Sequence, residues 1–269
     1  MTHREAMLKA KENALKAIEL DDTLAEAHTT LAFIKENFDY DPQGAELDFK
    51  RAIELNPKYP IAHQFYAGYL VQTGHAEDGL AESKRALELD PYSLALNWYL
   101  GHTLYMTRHY DEALAQLQKT LQMQPDYLLA RVALGKVYVQ LKRYDEALAL
   151  FRQIASSPNE QAQAMTNLAY AYALTGQRAE AQKMLDELRE MYTRGEISNR
   201  HNDGNANGYF IAQVYVGLAD KEQALAWLNK AFDDHAFYMF FLRVDPVFDD
   251  LHSDPRFQDL LRRVGLLQS

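Results

Sequence analysis

A six-residue phrase returns at a fixed interval along this chain. Ala52-Ile53-Glu54-Leu55-Asn56-Pro57 recurs as Ala86-Leu87-Glu88-Leu89-Asp90-Pro91, and again as Thr120-Leu121-Gln122-Met123-Gln124-Pro125, each copy 34 residues after the last. A second phrase keeps the same interval: Arg108-His109-Tyr110-Asp111-Glu112-Ala113-Leu114-Ala115 and Lys142-Arg143-Tyr144-Asp145-Glu146-Ala147-Leu148-Ala149. A third is Leu100-Gly101, Leu134-Gly135 and Leu168-Ala169. A period of this size marks an array of units, each too small to bury its apolar face alone and so stacked on its neighbours. At 269 residues the chain would otherwise suggest roughly two domains of ordinary size.

The residue types say what the unit is made of. Ala, Leu, Glu, Lys and Gln are abundant, while Gly and Pro number only 12 and 8, a balance that favours helix over turn-rich sheet. Small residues recur at two phases, where two helices cross closely. One set is Ala32, Ala67, Gly101, Gly135, Ala169 and Ala212; the other is Ala10, Ala45, Gly79, Ala113, Ala147, Ala181 and Ala224. Phe49, Leu117, Phe151, Leu185 and Leu228 fall at helical spacing from the second set and fill the space between helices. Pro57, Pro91 and Pro125 end each second helix, since proline cannot continue a helix interior.

A period of 34 residues with Leu-Gly, a later Ala, an aromatic four residues on and a closing Pro resembles the tetratricopeptide repeat, a helix–turn–helix unit. The fullest copy, over residues 131–154, carries Leu134, Gly135, Tyr138, Ala147 and Phe151. The resemblance implies an all-α fold, a right-handed superhelical solenoid with a C-terminal helical cap. In phase with it, residues 1–24 form a partial unit. Repeats follow at 25–58, 60–92, 94–126, 128–160, 162–194 and about 205–236. The step from Ala181 to Ala224 is 43 residues, so a polar, Asn-rich loop insertion is expected over 193–207. Residues 237–269 form the cap.

In the cap, Asp245-Pro246 and Asp254-Pro255 each set an N-cap carboxylate before a proline at the first helical position, and Gly265 stops the second helix. The apolar run from Ala236 to Leu242 is expected to lie buried on the last repeat. Residues 244–266, with the early stretch 16–28, are similar to the C-terminal tetratricopeptide arrays of bacterial winged-helix transcriptional regulators and serine/threonine kinases. That resemblance implies, as an alternative role, a sensory region of a larger regulator.

Chemistry-bearing patterns are sparse. There is no cysteine, which excludes disulfides, thiolate metal sites and a cysteine nucleophile. No phosphate-cradling glycine loop or nucleophile elbow occurs, and Arg108 and His109 lie at a turn, which separates His109 from His102. No catalytic residue, metal site or cofactor is expected, and the chain reads as a non-enzymatic module. Its net charge of −10 disfavours direct nucleic-acid binding. No run approaches the 18 or so apolar residues of a membrane span, and the mixed charges after Met1 do not form a leader, so a complete chain would be cytoplasmic.

The first helix of each unit lines the concave side of such an array. Counting inward positions gives a groove of Phe33, Gln64, Trp98, His102, Tyr105, Lys136, Gln140, Tyr170, Tyr209 and Gln213, with Gly68 and Gln72 also facing inward. It is aromatic and amide-rich with one cation, Lys136, which suits a protein or peptide segment rather than an acidic tail. The missing half-unit leaves Leu8, Leu15 and Ile18 poorly covered, which predicts weak homodimerisation through residues 1–34.

Overall fold

A computed structural model describes residues 3–156, 161–194, 207–234 and 236–267. The helices come in antiparallel pairs. An opening helix α1 (His3–Leu20) is followed by α2 (Ala25–Asn37) with α3 (Pro42–Leu55), then α4 (Pro60–Gln72) with α5 (Ala76–Leu89). Next come α6 (Leu94–Met106) with α7 (Tyr110–Met123), and α8 (Leu128–Gln140) with α9 (Tyr144–Ala155). The last pairs are α10 (Gln161–Leu174) with α11 (Arg178–Arg194), and α12 (Asn207–Gly217) with α13 (Lys221–Asp233). Successive first helices also touch, α2 on α4, α4 on α6, α6 on α8 and α10 on α12. This is an all-α superhelical solenoid. α1 runs unbroken and packs on α2. Most of the expected 193–207 loop lies outside the described residues; its first two, Thr193 and Arg194, end α11.

The period is written in the backbone as well as in the sequence. Outside glycine, a left-handed conformation occurs at Tyr40, Arg108, Lys142 and Ala219; among glycines it occurs at Gly74, Gly176 and Gly265. Tyr40, Gly74, Arg108, Lys142 and Gly176 lie 34 residues apart, and Ala219 follows after the 43-residue step. Each ends the first helix of its unit, and the reversal lets the second helix pack back on the first. The close crossings are equally regular. Ala32, Ala67, Ala169 and Ala212 on first helices, and Ala45, Ala113, Ala147, Ala181 and Ala224 on second helices, are wholly buried. A methyl group on Gly135 would lie 2.3 Å from the Phe151 ring, and one on Gly101 would lie 2.7 Å from Leu117. Phe49, Leu117, Phe151, Leu185 and Leu228 have no exposed surface, so each fills its inter-helix space completely.

A polar ladder also follows the repeat. His28, His63 and Asn97 occupy one position of α2, α4 and α6. Each bonds the turn carbonyl six residues earlier: Asp22, Pro57 and Pro91. Each also meets a side chain of its own second helix: Asp48 at 3.0 Å, Glu82 at 2.5 Å and Gln116 at 3.0 Å. For His63 both partners are acceptors, so both of its ring nitrogens are satisfied only by the imidazolium. The Glu82 hydrogen bond is the main reason the His63 pKa is raised, against an opposing effect of burial.

The C-terminal segment does more than cover the last repeat. Two 3-10 helices (Phe237–Phe241 and Pro246–Leu251) and α14 (Pro255–Arg263) follow α13. Asp245 and Asp254 cap as the sequence predicts, accepting from the Val247 and Arg256 amides, and Gly265 closes α14 with a positive φ. Phe248, Leu251, Phe257 and Leu260 are buried against the last repeats. The stretch between Phe237 and Leu251, however, reaches earlier units. Arg243 donates to the Thr73 carbonyl at 2.7 Å, Arg108 donates to the Val244 carbonyl at 2.6 Å, and Phe241 meets His102 edge-on. Tyr40 of the first complete pair stacks on Phe232 of α13, with ring centres 6.0 Å apart. The array therefore curls until its ends meet, and the tail occupies part of the concave side.

Candidate functional site

The tail divides the ten expected groove residues into two sets. Tyr105, Tyr209 and Gln213 face the concave side but are 1 to 2% exposed. Tyr209 donates to Asp245 at 2.9 Å, and Gln213 donates to the same carboxylate oxygen at 2.9 Å. Gln140 hydrogen-bonds Tyr105, and burial raises the pKa of the Tyr105 hydroxyl well above the ordinary phenol range. Tyr170 packs in the same region, its pKa raised first by burial and then by the Asp245 charge. These five residues form or adjoin the seat of the chain's own tail. The reason is chemical: a buried Asp needs donors, and Tyr209 and Gln213 supply them to Asp245.

The other five, Phe33, Gln64, Trp98, His102 and Lys136, line an open cavity of about 320 Å³ between α2, α4, α6 and α8. That is the low end of the roughly 300–1,000 Å³ range of small-ligand sites. Tyr238 and Phe241 of the tail form one of its walls. Sequence reasoning did not anticipate Glu36, Phe65 and Tyr99, which line it too. Glu36 had a readable signal: it lies three residues after Phe33 and so shares its helical face. Tyr238 and Phe241 carried none, because their position depends on the closure of the whole array.

The cavity is mostly aromatic. Phe33 and Phe65 lie 5.0 Å apart between ring centres, Trp98 and His102 5.5 Å. Gly68 leaves room for Tyr99; a methyl group there would stand 2.5 Å from the phenol oxygen. Set among these rings are polar groups without partners. One carboxylate oxygen of Glu36, the Gln72 carbonyl oxygen and the Trp98 indole N–H have no hydrogen-bond partner among the described residues. The other Glu36 oxygen accepts from Asn37 at 3.0 Å. Burial pushes the Glu36 pKa up to about 8, against the smaller pull of Asn37. His102 is pushed down to about 3, first by burial and then by the Lys136 charge, and is neutral at physiological pH. The site thus has an acidic end on α2 and α4 and a cationic end at Lys136 on α8, with rings between.

The helix pairs, their period and their crossings are those of the tetratricopeptide repeat. Family profiles described as tetratricopeptide repeat match residues 100–161 and 142–196. Among solved structures, a tetratricopeptide repeat protein from Parabacteroides merdae is similar over 97% of this chain and 93% of its own, with a TM-score of 0.65 at 16% identity. PilW, a type IV pilus biogenesis factor, aligns over 88% of this chain and 98% of its own (TM-score 0.56, 17% identity). PilF from Pseudomonas aeruginosa aligns over 90% and 98% (TM-score 0.53, 18% identity). At these identities the likeness is one of fold. No curated protein sequence matches the chain. No helix among the described residues is long and apolar enough to cross a membrane.

Proposed function

We propose that this chain is an interaction scaffold that takes a short segment of a partner protein in the half of its concave face left open by the tail. The observation that carries the reading is the cavity itself. Four first helices supply aromatic and amide side chains to it, and polar atoms at its walls lack partners among the described residues. Buried polar groups are nearly always satisfied, and unsatisfied ones gathered at one concave site are what a bound guest would complete. The tail narrows the guest: the site accommodates one or two anchoring side chains of an extended segment rather than a whole helix laid along the superhelix. The residues we assign to contact are Phe33, Gln64, Trp98, His102 and Lys136.

The test is selection of displayed peptides on the immobilised protein, counter-selected against the double variant Phe33→Ala, Gln64→Ala. Both residues are only partly buried, so the variant keeps its fold, checked by circular dichroism. A peptide family enriched on the native protein and lost on the variant supports the reading. Enrichment equal on both, or none, rejects it.

A further inference from the structure

Among the described residues, the polar atoms without a partner at the α2–α4 end of the cavity are both oxygens. Glu36 and Gln72 each present an oxygen without a donor among the described residues, and Gln72 is only 5% exposed. Burial and Asn37 are what act on the Glu36 carboxyl; no cation is among the groups that shift it. Around it stand Phe33, Phe65 and Tyr99, whose ring faces carry negative charge density. Once Glu36 is ionised, its oxygen and that of Gln72, within an aromatic wall, form a receptor for a group that is both a hydrogen-bond donor and a cation. At the opposite end, the Lys136 charge would repel such a group, so the site has a direction.

We propose that the cavity binds one lysine or arginine side chain of a partner peptide, its head on Glu36 and Gln72 and its stem along the aromatic rings. The proposal rests on the groove reading and names its specificity. The aliphatic stem matches the apolar walls, since Lys and Arg bury their methylenes while placing the charge at a polar end. Among the described residues, the titratable groups that feel the Glu36 charge are phenols, Tyr69 on α4 and Tyr99 on α6, both neutral because burial raises their pKa values. They supply no competing positive charge. With the cavity empty, Glu36 holds a proton at neutral pH, so a cationic guest must displace it. Binding is then coupled to proton release.

Three capped hexapeptides test this, identical except for a central Lys, norleucine or Glu between Leu and Phe neighbours, titrated calorimetrically against the whole protein. The Lys peptide is expected to bind at least ten-fold more tightly than the norleucine peptide. Its affinity should rise between pH 6.5 and 8.5 with release of a proton to buffer. Glu36→Gln, an isostere of the protonated side chain that preserves the fold, should abolish both the preference and the pH dependence. Equal binding of the Lys and norleucine peptides, sensitive to Phe33→Ala, would overturn the cation assignment while leaving the groove reading intact. Tighter binding of the Glu peptide, centred on Lys136, would do the same. Binding of free cadaverine but of no peptide would overturn the peptide as the source. No binding by any probe would overturn both readings.

Discussion

Replacing Asp245 by alanine should loosen the whole C-terminal third of the array. Its carboxylate is 1% exposed and accepts from Tyr209 at 2.9 Å, Gln213 at 2.9 Å and the Val247 amide at 3.1 Å. A hydrogen bond to a charged group contributes about 1.5–3 kcal/mol, and a buried donor left unpaired costs about 1–3 kcal/mol. These terms overlap, because the same bonds are counted from both sides. Removing the carboxylate leaves two buried neutral side-chain donors, Tyr209 and Gln213, unpaired at about 1–3 kcal/mol each, so the expected loss is about 2–6 kcal/mol. The Tyr209 hydroxyl and Gln213 amide are too buried for water to replace the carboxylate. Asp245→Asn should cost less, about 1–2 kcal/mol, because its carbonyl oxygen still accepts from Val247 and the Tyr209 hydroxyl can reverse its role. Urea unfolding followed by circular dichroism gives the global effect, and hydrogen exchange of 237–251 locates it. The alanine variant should expose this stretch first. A loss under about 1 kcal/mol for alanine, or equal losses for alanine and asparagine, would refute the account of Asp245 as the anchor of the tail.

Gly135→Ala should destabilise by about 1–3 kcal/mol through overpacking against Phe151, and the second change Phe151→Leu should recover part of that loss in thermal melts. His63 predicts a pH effect. Its folded pKa is raised, so its contribution is complete below about 6.5, the unfolded value, and is lost as pH rises through the folded value. Stability measured from pH 6 to 9 should fall over that window, and His63→Asn, which copies Asn97, should flatten the curve; an unchanged slope would reject the imidazolium. On α1, Leu8 and Leu15 are each 49% exposed while Ile18 is partly buried. We propose that this face pairs weakly with a second copy, so that Leu8→Glu with Leu15→Glu lowers the mass seen by sedimentation at high concentration; a native protein monomeric throughout would reject it.

Much of the fold was legible because a repeat presents the same local problem several times. Ala32, Ala67, Gly101, Gly135, Ala169 and Ala212 could be placed at helix crossings from spacing alone, since a crossing admits no larger side chain. The Asp-Pro caps were equally local, each carboxylate reaching an amide two residues on. The site was legible only in part. The inward-facing positions followed from helix phase, and five of them line the cavity. Tyr105, Gln140, Tyr170, Tyr209 and Gln213 were indistinguishable from those five in sequence, yet they surround the tail.

By itself the sequence determined the unit, its period, its helix pairs and the face each first helix turns inward, because these depend on contacts within one unit or between neighbours. Which part of that face is free was decided only by tertiary structure. The small rotation from each repeat to the next adds up over the array until Tyr40 meets Phe232, and the tail is drawn across the concave side where Asp245 finds its donors. A summed rotation and a contact 36 residues away in sequence are not carried by any local pattern. The open cavity, with its acidic and cationic ends, is what that closure leaves.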